Sequence, residues 1–421
     1  MNKKLNLILF IIAGLFLGAL ISRNGTLAMM TIPFLAYIGI GLRTAPGEIN
    51  LKAERALVPL RSEGNEPIRM TLRLENHGEA VPLVRVIEPC QSDLTLIEGS
   101  LDQRFTLPLG ASIETGYSFQ APRGRYSWES VHLIASDSFG LFDRTLEIQA
   151  EAQTLVWPAA ELLKKFRFQP HPTIRTAGPY LSRLPGSGVD FWGVREYQPG
   201  DSMRTIHWRL SARHPQAFFS IVHEREEMAD IGLLLDARAM AHRLPGTDQL
   251  FDASVQAAAA LAKYLLSAGN RVSMLVLNDR LMRVYPGYGK HQLARILDQL
   301  AACTPGERVT FNTLKYLPAR LFPVKSVIVL ISPLLPEDHN FIHRLHSKGY
   351  QVLVVSPNPV ACMTDRAMGN SPDELAIRTA ALERKALLWR IQKKGIRVVD
   401  WNINRSLSEA LHATRMIKLE Q

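Results

Sequence analysis

A chain of 421 residues is longer than one ordinary hydrophobic core accommodates, so two or three domains are expected. With 47% hydrophobic and 21% charged residues, the composition is that of a globular protein and excludes a largely disordered one. The net charge of +10 is scattered rather than gathered into a basic patch, which argues against a nucleic-acid partner.

Residues 5–21 form an apolar run and residues 26–42 a second. Each is about the length needed to cross a hydrocarbon core of ~30 Å. Lys3 and Lys4 make a basic start, as in a signal peptide, but a second span follows at once and no small-x-small cleavage site intervenes. Only residues 22–25 separate the runs, so residues 1–45 are expected to be a transmembrane helical hairpin. Pro33 is tolerable there because bilayer helices re-satisfy freed backbone groups. Lys3 and Lys4 precede the hairpin and Arg43, Lys52, Arg55 and Arg61 follow it, while the tight loop holds only Arg23. Basic flanks resist translocation, so both flanks are expected in the cytoplasm.

Residues 46–158 read as a β-sandwich domain. Residues 68–74 alternate apolar and polar positions, the period of a strand with one wet face. Asn76, His77 and Gly78 supply a turn, and 83–87, 105–107, 113–119, 126–134 and 146–148 continue the series. Gly124 and Gly140 suit tight turns, and Phe139 and Phe142 are expected to pack between the sheets.

Residues 159–225 are expected to be a connector, and within it 186–213 is the most informative stretch of the chain. It holds four arginines, three acids, two tryptophans and a Pro-Gly-Asp turn, too polar for a core strand and too aromatic for a linker. Gly186, Asp190, Phe191, Arg195, Tyr197, Pro199, Gly200, Asp201, Arg204, Ile206, Trp208, Ala212 and Arg213 resemble the signature of the bacterial "domain of unknown function 58" family. Arg123 to Tyr126, Asp137 to Phe142 and Val156 to Pro158 are similar to further elements of that family, with Ser138 in place of its usual proline and His207 where an acid often stands. Two uses of the signature charges stay open. Arg195, Arg204 and Arg213 can fork onto Asp190, Glu196 and Asp201 as an interdomain lock. Alternatively, Trp192, Trp208 and the arginines form a recognition surface.

Residues 226–421 change rhythm to strands alternating with helices, a doubly wound α/β domain. Strands are expected at 231–235, 272–277, 327–331, 352–355 and 396–401, with helices at 248–268, 292–301, 338–348 and 374–394. In order of elements this half resembles a von Willebrand factor A-type domain, whose first strand ends in Asp-x-Ser-x-Ser and helps hold a divalent cation. Here the chain reads Asp236, Ala237, Arg238, Ala239, Met240. Both hydroxyls are missing, Arg238 puts a positive charge where the cation would sit, and Ser332 and Pro333 stand where a later aspartate belongs. The ion site at Asp236 is therefore degenerate, with a structural role expected for Asp236.

Other chemistry is not signalled. Cys90, Cys303 and Cys362 lie far apart, which fits a reducing compartment and no cysteine metal site. His339, His343 and His346 have helical spacing, but Phe341, Ile342 and Leu345 define the buried stripe opposite them. Gly287 to Lys290 has the wrong spacing for a phosphate loop, and Gly186 to Gly188 is not a nucleophile elbow. The family resemblance implies a protein of the bacterial inner membrane whose partner is a MoxR-type AAA+ ATPase. The expectation is a non-enzymatic adaptor without cofactor. The alternatives are a divalent-cation-dependent binding module or a hydrolase assembled from Asp190, Asp201 and His207.

Overall fold

The computed structural model describes residues 3–64, 66–89, 93–164, 180–214, 216–227, 229–244, 249–279, 281–307, 317–367 and 374–413, with only the backbone at 3, 180–190, 224–227, 364–367 and 374. The chain divides into two units, Met1–Trp157 and Pro158–Gln421. Asp190 falls among the backbone-only positions and Cys90 outside the described residues.

The first unit begins with α1 (Lys3–Ser22), α2 (Gly25–Met29) and α3 (Ile32–Arg43). Asn24 starts α2 by accepting the Thr26 N–H at 3.0 Å. The second apolar run is not one helix. Pro33 has no N–H and its ring crowds the preceding turn, so the helix stops and restarts with the proline at its head. The windows Lys4–Ser22 and Gly25–Arg43 have mean hydropathies of 2.5 and 1.6, long and apolar enough to cross a membrane.

Nine strands follow: β1 (Leu51–Val58), β2 (Arg61–Glu63), β3 (Ile68–Asn76), β4 (Val81–Ile87), β5 (Thr95–Gly99), β6 (Asp102–Leu107), β7 (Ser112–Gln120), β8 (Gly124–Ser136) and β9 (Asp143–Trp157). They form two sheets, ordered β1-β3-β7-β5 and β2-β9-β8-β4-β6, antiparallel except where β2 runs parallel to β9. The alternation read in β3 is real: Ile68, Met70, Leu72 and Leu74 are buried and the residues between them are not. Leu72 and Leu74 meet Val84, Val86, Val131 and Leu133 of the other sheet, while Met70 and Phe119 meet Tyr126 and Trp128. Arg55 ties the sheets from within, donating to the Ala150 and Ser130 carbonyls and to Glu88, each at 2.8 Å. Burial pushes the Glu88 carboxyl above its usual range despite Arg55.

The turn between β8 and β9 departs from expectation. Gly140 does adopt φ +65°, as a tight turn requires. Phe139, however, does not pack between the sheets; its ring lies 4.4 Å from that of Tyr37 on α3. The alternation that identified the sheets carries no information about a helix a hundred residues upstream.

The second unit opens on β10 (Tyr180–Glu196), a 3-10 turn (Met203–Thr205), α4 (Trp208–Ser211) and β11 (Phe219–Glu227). β10 and β11 pair antiparallel as a separate two-stranded ribbon. Then come β12 (Asp230–Asp236), α5 (Ala239–His242), α6 (Gln249–Ser267), β13 (Arg271–Leu277), β14 (Met282–Gly287), α7 (Gly289–Ala301), β15 (Val327–Ile331), α8 (Asp338–Ser347), β16 (Gln351–Pro357), α9 (Pro359–Ala367), α10 (Glu374–Gln392), β17 (Arg397–Trp401) and α11 (Leu407–Ala413). The six strands order as β14-β13-β12-β15-β16-β17. All pairs are parallel except β13–β14, so the expected parallel sheet carries an antiparallel edge strand. Central β12 is buried at every residue, as its continuous apolar run requires. Gln292 of α7 seals the irregular edge by donating to the carbonyls of Val272 and Tyr285 at 2.8 and 2.7 Å.

Candidate functional site

In an open α/β sheet, ligands gather at the carboxyl ends of the strands where the strand order reverses. Here that point lies between β12 and β15, and its residues are already joined to one another. Asp236 ends β12 fully buried. Its Oδ1 accepts the Arg238 backbone N–H at 3.0 Å and Nε at 2.8 Å, and its Oδ2 accepts Arg238 Nη2 at 2.8 Å. Ser332, at the end of β15, donates its hydroxyl to the same Oδ2 at 2.6 Å. From α8, Asp338 completes the ring, accepting Arg238 Nη1 at 3.1 Å and Nη2 at 2.6 Å. The Leu335 N–H reaches Asp338 Oδ2 at 2.7 Å, which fixes the carboxylate at the head of its own helix.

The Arg238 guanidinium thus lies between two buried carboxylates, bidentate to each. Burial opposes its charge, but the hydrogen bonds and charges of Asp236 and Asp338 outweigh it and push the group above its ordinary value. Behind it, His242 Nδ1 contacts the Arg238 carbonyl at 3.0 Å and Nε2 contacts the Ser254 hydroxyl at 3.1 Å. A carbonyl only accepts, so Nδ1 carries the proton, and the Ser254 hydroxyl beside Nε2 donates to the Leu250 carbonyl at 2.9 Å. Burial holds this imidazole below its usual value.

A second guanidinium closes the rest of the edge. Arg384 of α10 donates Nη1 to the Pro333 carbonyl at 2.9 Å, and Nη2 to Ser356 Oγ and Asp400 Oδ1, both at 2.8 Å. The ends of β15, β16 and β17 are therefore tied together. Among the described residues, no three His, Cys, Asp or Glu side chains gather as a metal-ligand set. Sequence reading identified Asp236 and Arg238 but missed Asp338, Arg384 and Asp400. The available signal was an acid in the first turn of α8 and an arginine amid the apolar face of α10.

The signature residues occupy the ribbon and its turn. Pro199 and Gly200 make a tight turn with Gly200 at φ +110° and the Asp201 N–H on the Gln198 carbonyl at 3.0 Å. Asp201 accepts the Gln198 N–H at 3.0 Å and Arg195 Nη2 at 2.7 Å, which hold its carboxyl below the usual range. Tyr197 donates its hydroxyl to the Asp201 carbonyl at 3.2 Å. His207 Nδ1 accepts the Leu210 N–H at 3.1 Å and so caps α4. Of the pairings expected for the signature charges, Arg195 with Asp201 is present, and the Asp190 side chain lies outside the described residues. Arg195 pairs with Asp201 inside the turn, but Arg204 and Arg213 are exposed and form no ion pair among the described residues. Phe191 and Trp208 are 64% and 63% exposed, and Trp192, Met203 and Phe218 also face outward. Asp201 and His207, proposed in the hydrolase alternative, are each engaged by backbone N–H groups within the turn.

Residues 193–361 match the model of the family described as "Protein of unknown function DUF58". The chain is similar to "Uncharacterized protein Rv1480" of Mycobacterium tuberculosis, 29% identical over 31% of this chain and 42% of that one. It is also similar to "Uncharacterized protein YeaD" of Bacillus subtilis, 25% identical over 44% of this chain and 47% of that one. The chain thus spans under half the length of these curated relatives. Among solved structures, proximal thread matrix protein 1 of the mussel byssus matches 44% of this chain and 44% of its own at 13% identity and a TM-score of 0.28. The same protein with a zinc-occupied MIDAS motif matches at 14% identity and a TM-score of 0.27.

Proposed function

We propose that this chain, a member of the DUF58 family through residues 193–361, is a membrane-anchored adaptor rather than an enzyme. In this reading α1 to α3 anchor it in the bacterial inner membrane and the rest of the chain lies in the cytoplasm. A β-sandwich and a von Willebrand factor A-like domain then present the signature ribbon to a MoxR-type AAA+ ATPase, the partner that the family resemblance implies. Neither nucleic acid nor a cofactor is required.

The observation that carries the reading is the outward display of Phe191, Trp192, Met203, Trp208 and Phe218 beside exposed Arg204 and Arg213. Aromatic and arginine side chains are the types that dominate binding hot spots. The carboxyl edge of the sheet, where a small ligand or ion would ordinarily act, is filled by Arg238 and Arg384. That favours the adaptor over a cation-dependent module.

The test is co-purification of the host's MoxR-like ATPase from detergent-solubilised membranes. The native chain should bring it down, and an Arg204→Ala, Trp208→Ala double variant should not, at an unchanged melting temperature. Failure of the native chain to recover any ATPase sinks the adaptor reading. Hydrolysis of a substrate panel that Asp201→Asn abolishes would establish the hydrolase in its place.

A further inference from the structure

The turn between β8 and β9 is built more firmly than a connection between two strands needs. Asp137 is fully buried, and its carboxylate accepts three backbone N–H groups of its own loop: Phe139 at 3.0 Å, Leu141 at 2.6 Å and Phe142 at 2.7 Å. The Gly140 N–H closes onto the Asp137 carbonyl at 3.1 Å, with Gly140 in the left-handed region. Such a loop is fixed before it meets anything, so it presents its side chains at little entropic cost.

What it meets is the apolar hairpin. Phe139 lies on Tyr37 with ring centroids 4.4 Å apart. Gly41, one turn further along α3 and the buried residue of that helix, is a notch: a Cβ there would lie 3.0 Å from Leu141 Cδ1 and 3.2 Å from Asp137 Oδ2. On the other side, Lys4 Nζ of α1 lies 3.7 Å from where a Gly140 Cβ would be. The loop therefore sits at the shared end of both helices, where the basic flanking residues Lys4 and Arg43 also lie. Tyr37 precedes Arg43 by six positions, so at 1.5 Å per residue its ring hangs roughly 9 Å inside the helix end. That depth is the boundary between headgroups and acyl chains, where amphipathic rings gather in membrane proteins.

We propose that loop 137–142 is a lipid-interface site: an aromatic wedge that seats the β-domain on the bilayer by placing Phe139 beside Tyr37 at the headgroup–acyl boundary. The proposal rests on the membrane reading of α1 to α3 given above. It gives the Asp-x-Phe-Gly-Leu-Phe element a task beyond turning the chain. Asp137 sets the loop, Gly140 permits its bend, Phe139 enters the interface, and Gly41 clears the space that Leu141 and Phe142 occupy.

The full chain reconstituted into phosphatidylcholine–phosphatidylglycerol vesicles provides the test, with lipids brominated either near the headgroup or near the chain end. Tyr37→Trp reports on the membrane reading and Phe139→Trp on the proposal, each read as the signal above that of the native tryptophans. Both new indoles should be quenched, the one at 139 more by the shallow bromine than by the deep one. Quenching at 37 with none at 139 overturns the proposal and leaves the membrane reading standing. No quenching at either position removes both. Adding Gly41→Leu to Phe139→Trp should abolish quenching at 139 while the chain stays in the vesicles and keeps its β circular-dichroism signal. Undiminished quenching in that variant would also overturn the wedge, because the notch would then be irrelevant to its seating.

Discussion

A guanidinium held between two carboxylates is tethered to the chain and cannot be chelated, which is the physical difference between Arg238 and a bound cation. Asp236 and Asp338 are essentially unexposed, so truncation at Arg238 leaves two buried charges without a counter-charge. We expect Arg238→Ala to destabilise the fold by about 3–5 kcal/mol, measured by denaturant titration of the full chain in detergent. The vacated space would be lined by Asp236, Asp338 and the Ser332 hydroxyl, hard oxygens of the kind magnesium takes. Magnesium should therefore raise the melting temperature of Arg238→Ala and not that of the native chain. Saturation to ~100 times a dissociation constant would add about 2.7 kcal/mol, so a rise of that order in the native chain would restore the cation-dependent reading. His242 adds a pH term. Its folded value is depressed below the ordinary 6.5 by burial, so on acidification the unfolded chain takes up a proton before the folded chain does. Stability is full above about 6.5 and falls as pH drops from there toward the folded value, and His242→Gln should flatten that part of the curve. Thermal melts in small pH steps decide it; an unchanged slope would mean that the imidazole is not held neutral. Half of this ring was legible in the chain, because a strand-ending aspartate and an arginine two residues on form a local pattern. Asp338 was not, since its partner lies 100 positions away and ion pairs across such distances leave no periodicity.

Strands and helices were legible wherever one face was uniformly apolar, as in β3, β12, α6 and α8. The ribbon of β10 and β11 was not, because Pro185 and the glycines at 186, 188 and 193 interrupt the alternation by which strands are recognised. β14 was missed for a related reason: Pro286 and Gly287 end it in a turn that reads as a loop, and Gln292 supplies from a helix the bonds its irregular pairing leaves open. The break in the second apolar run follows Pro33, which bilayer arguments alone treated as tolerable. Inside the sheet, Gly232 of β12 has a purpose that composition hides. A Cβ there would collide with Cδ1 of the fully buried Phe322, so the glycine lets an aromatic ring lie on the strand itself. Gly232→Ala should cost about 1–3 kcal/mol through overpacking. A second change, Phe322→Leu, should make the alanine less costly than it is alone, and a double-mutant cycle with no coupling would mean that the ring is not what excludes the side chain.

For the whole molecule, the order of units places an apolar hairpin first, two sheets with a common interior next, and an α/β unit carrying the signature ribbon last. A hairpin of two spans returns the chain to the side from which it started, whatever its kink. Lys3 and Lys4 stand before the first span and Arg43 closes α3, whereas the turn between them offers only Arg23. Positive residues near the ends of spans are retained in the cytoplasm, so the β-domain and everything after it should lie there. This also suits the buried thiols of Cys303 and Cys362, neither of which is in a disulfide. Alkaline phosphatase, active only after export, gives the decision. Fused after Leu60 it should be inactive, and fused after Arg23 in the tight loop it should be active. The reverse pattern would put the signature ribbon outside the cell, beyond reach of any ATP-driven partner, and the adaptor reading would fall with the topology. Activity at neither position would mean that the hairpin does not span the bilayer, and the interface depth assigned to Tyr37 and Phe139 would lose its basis.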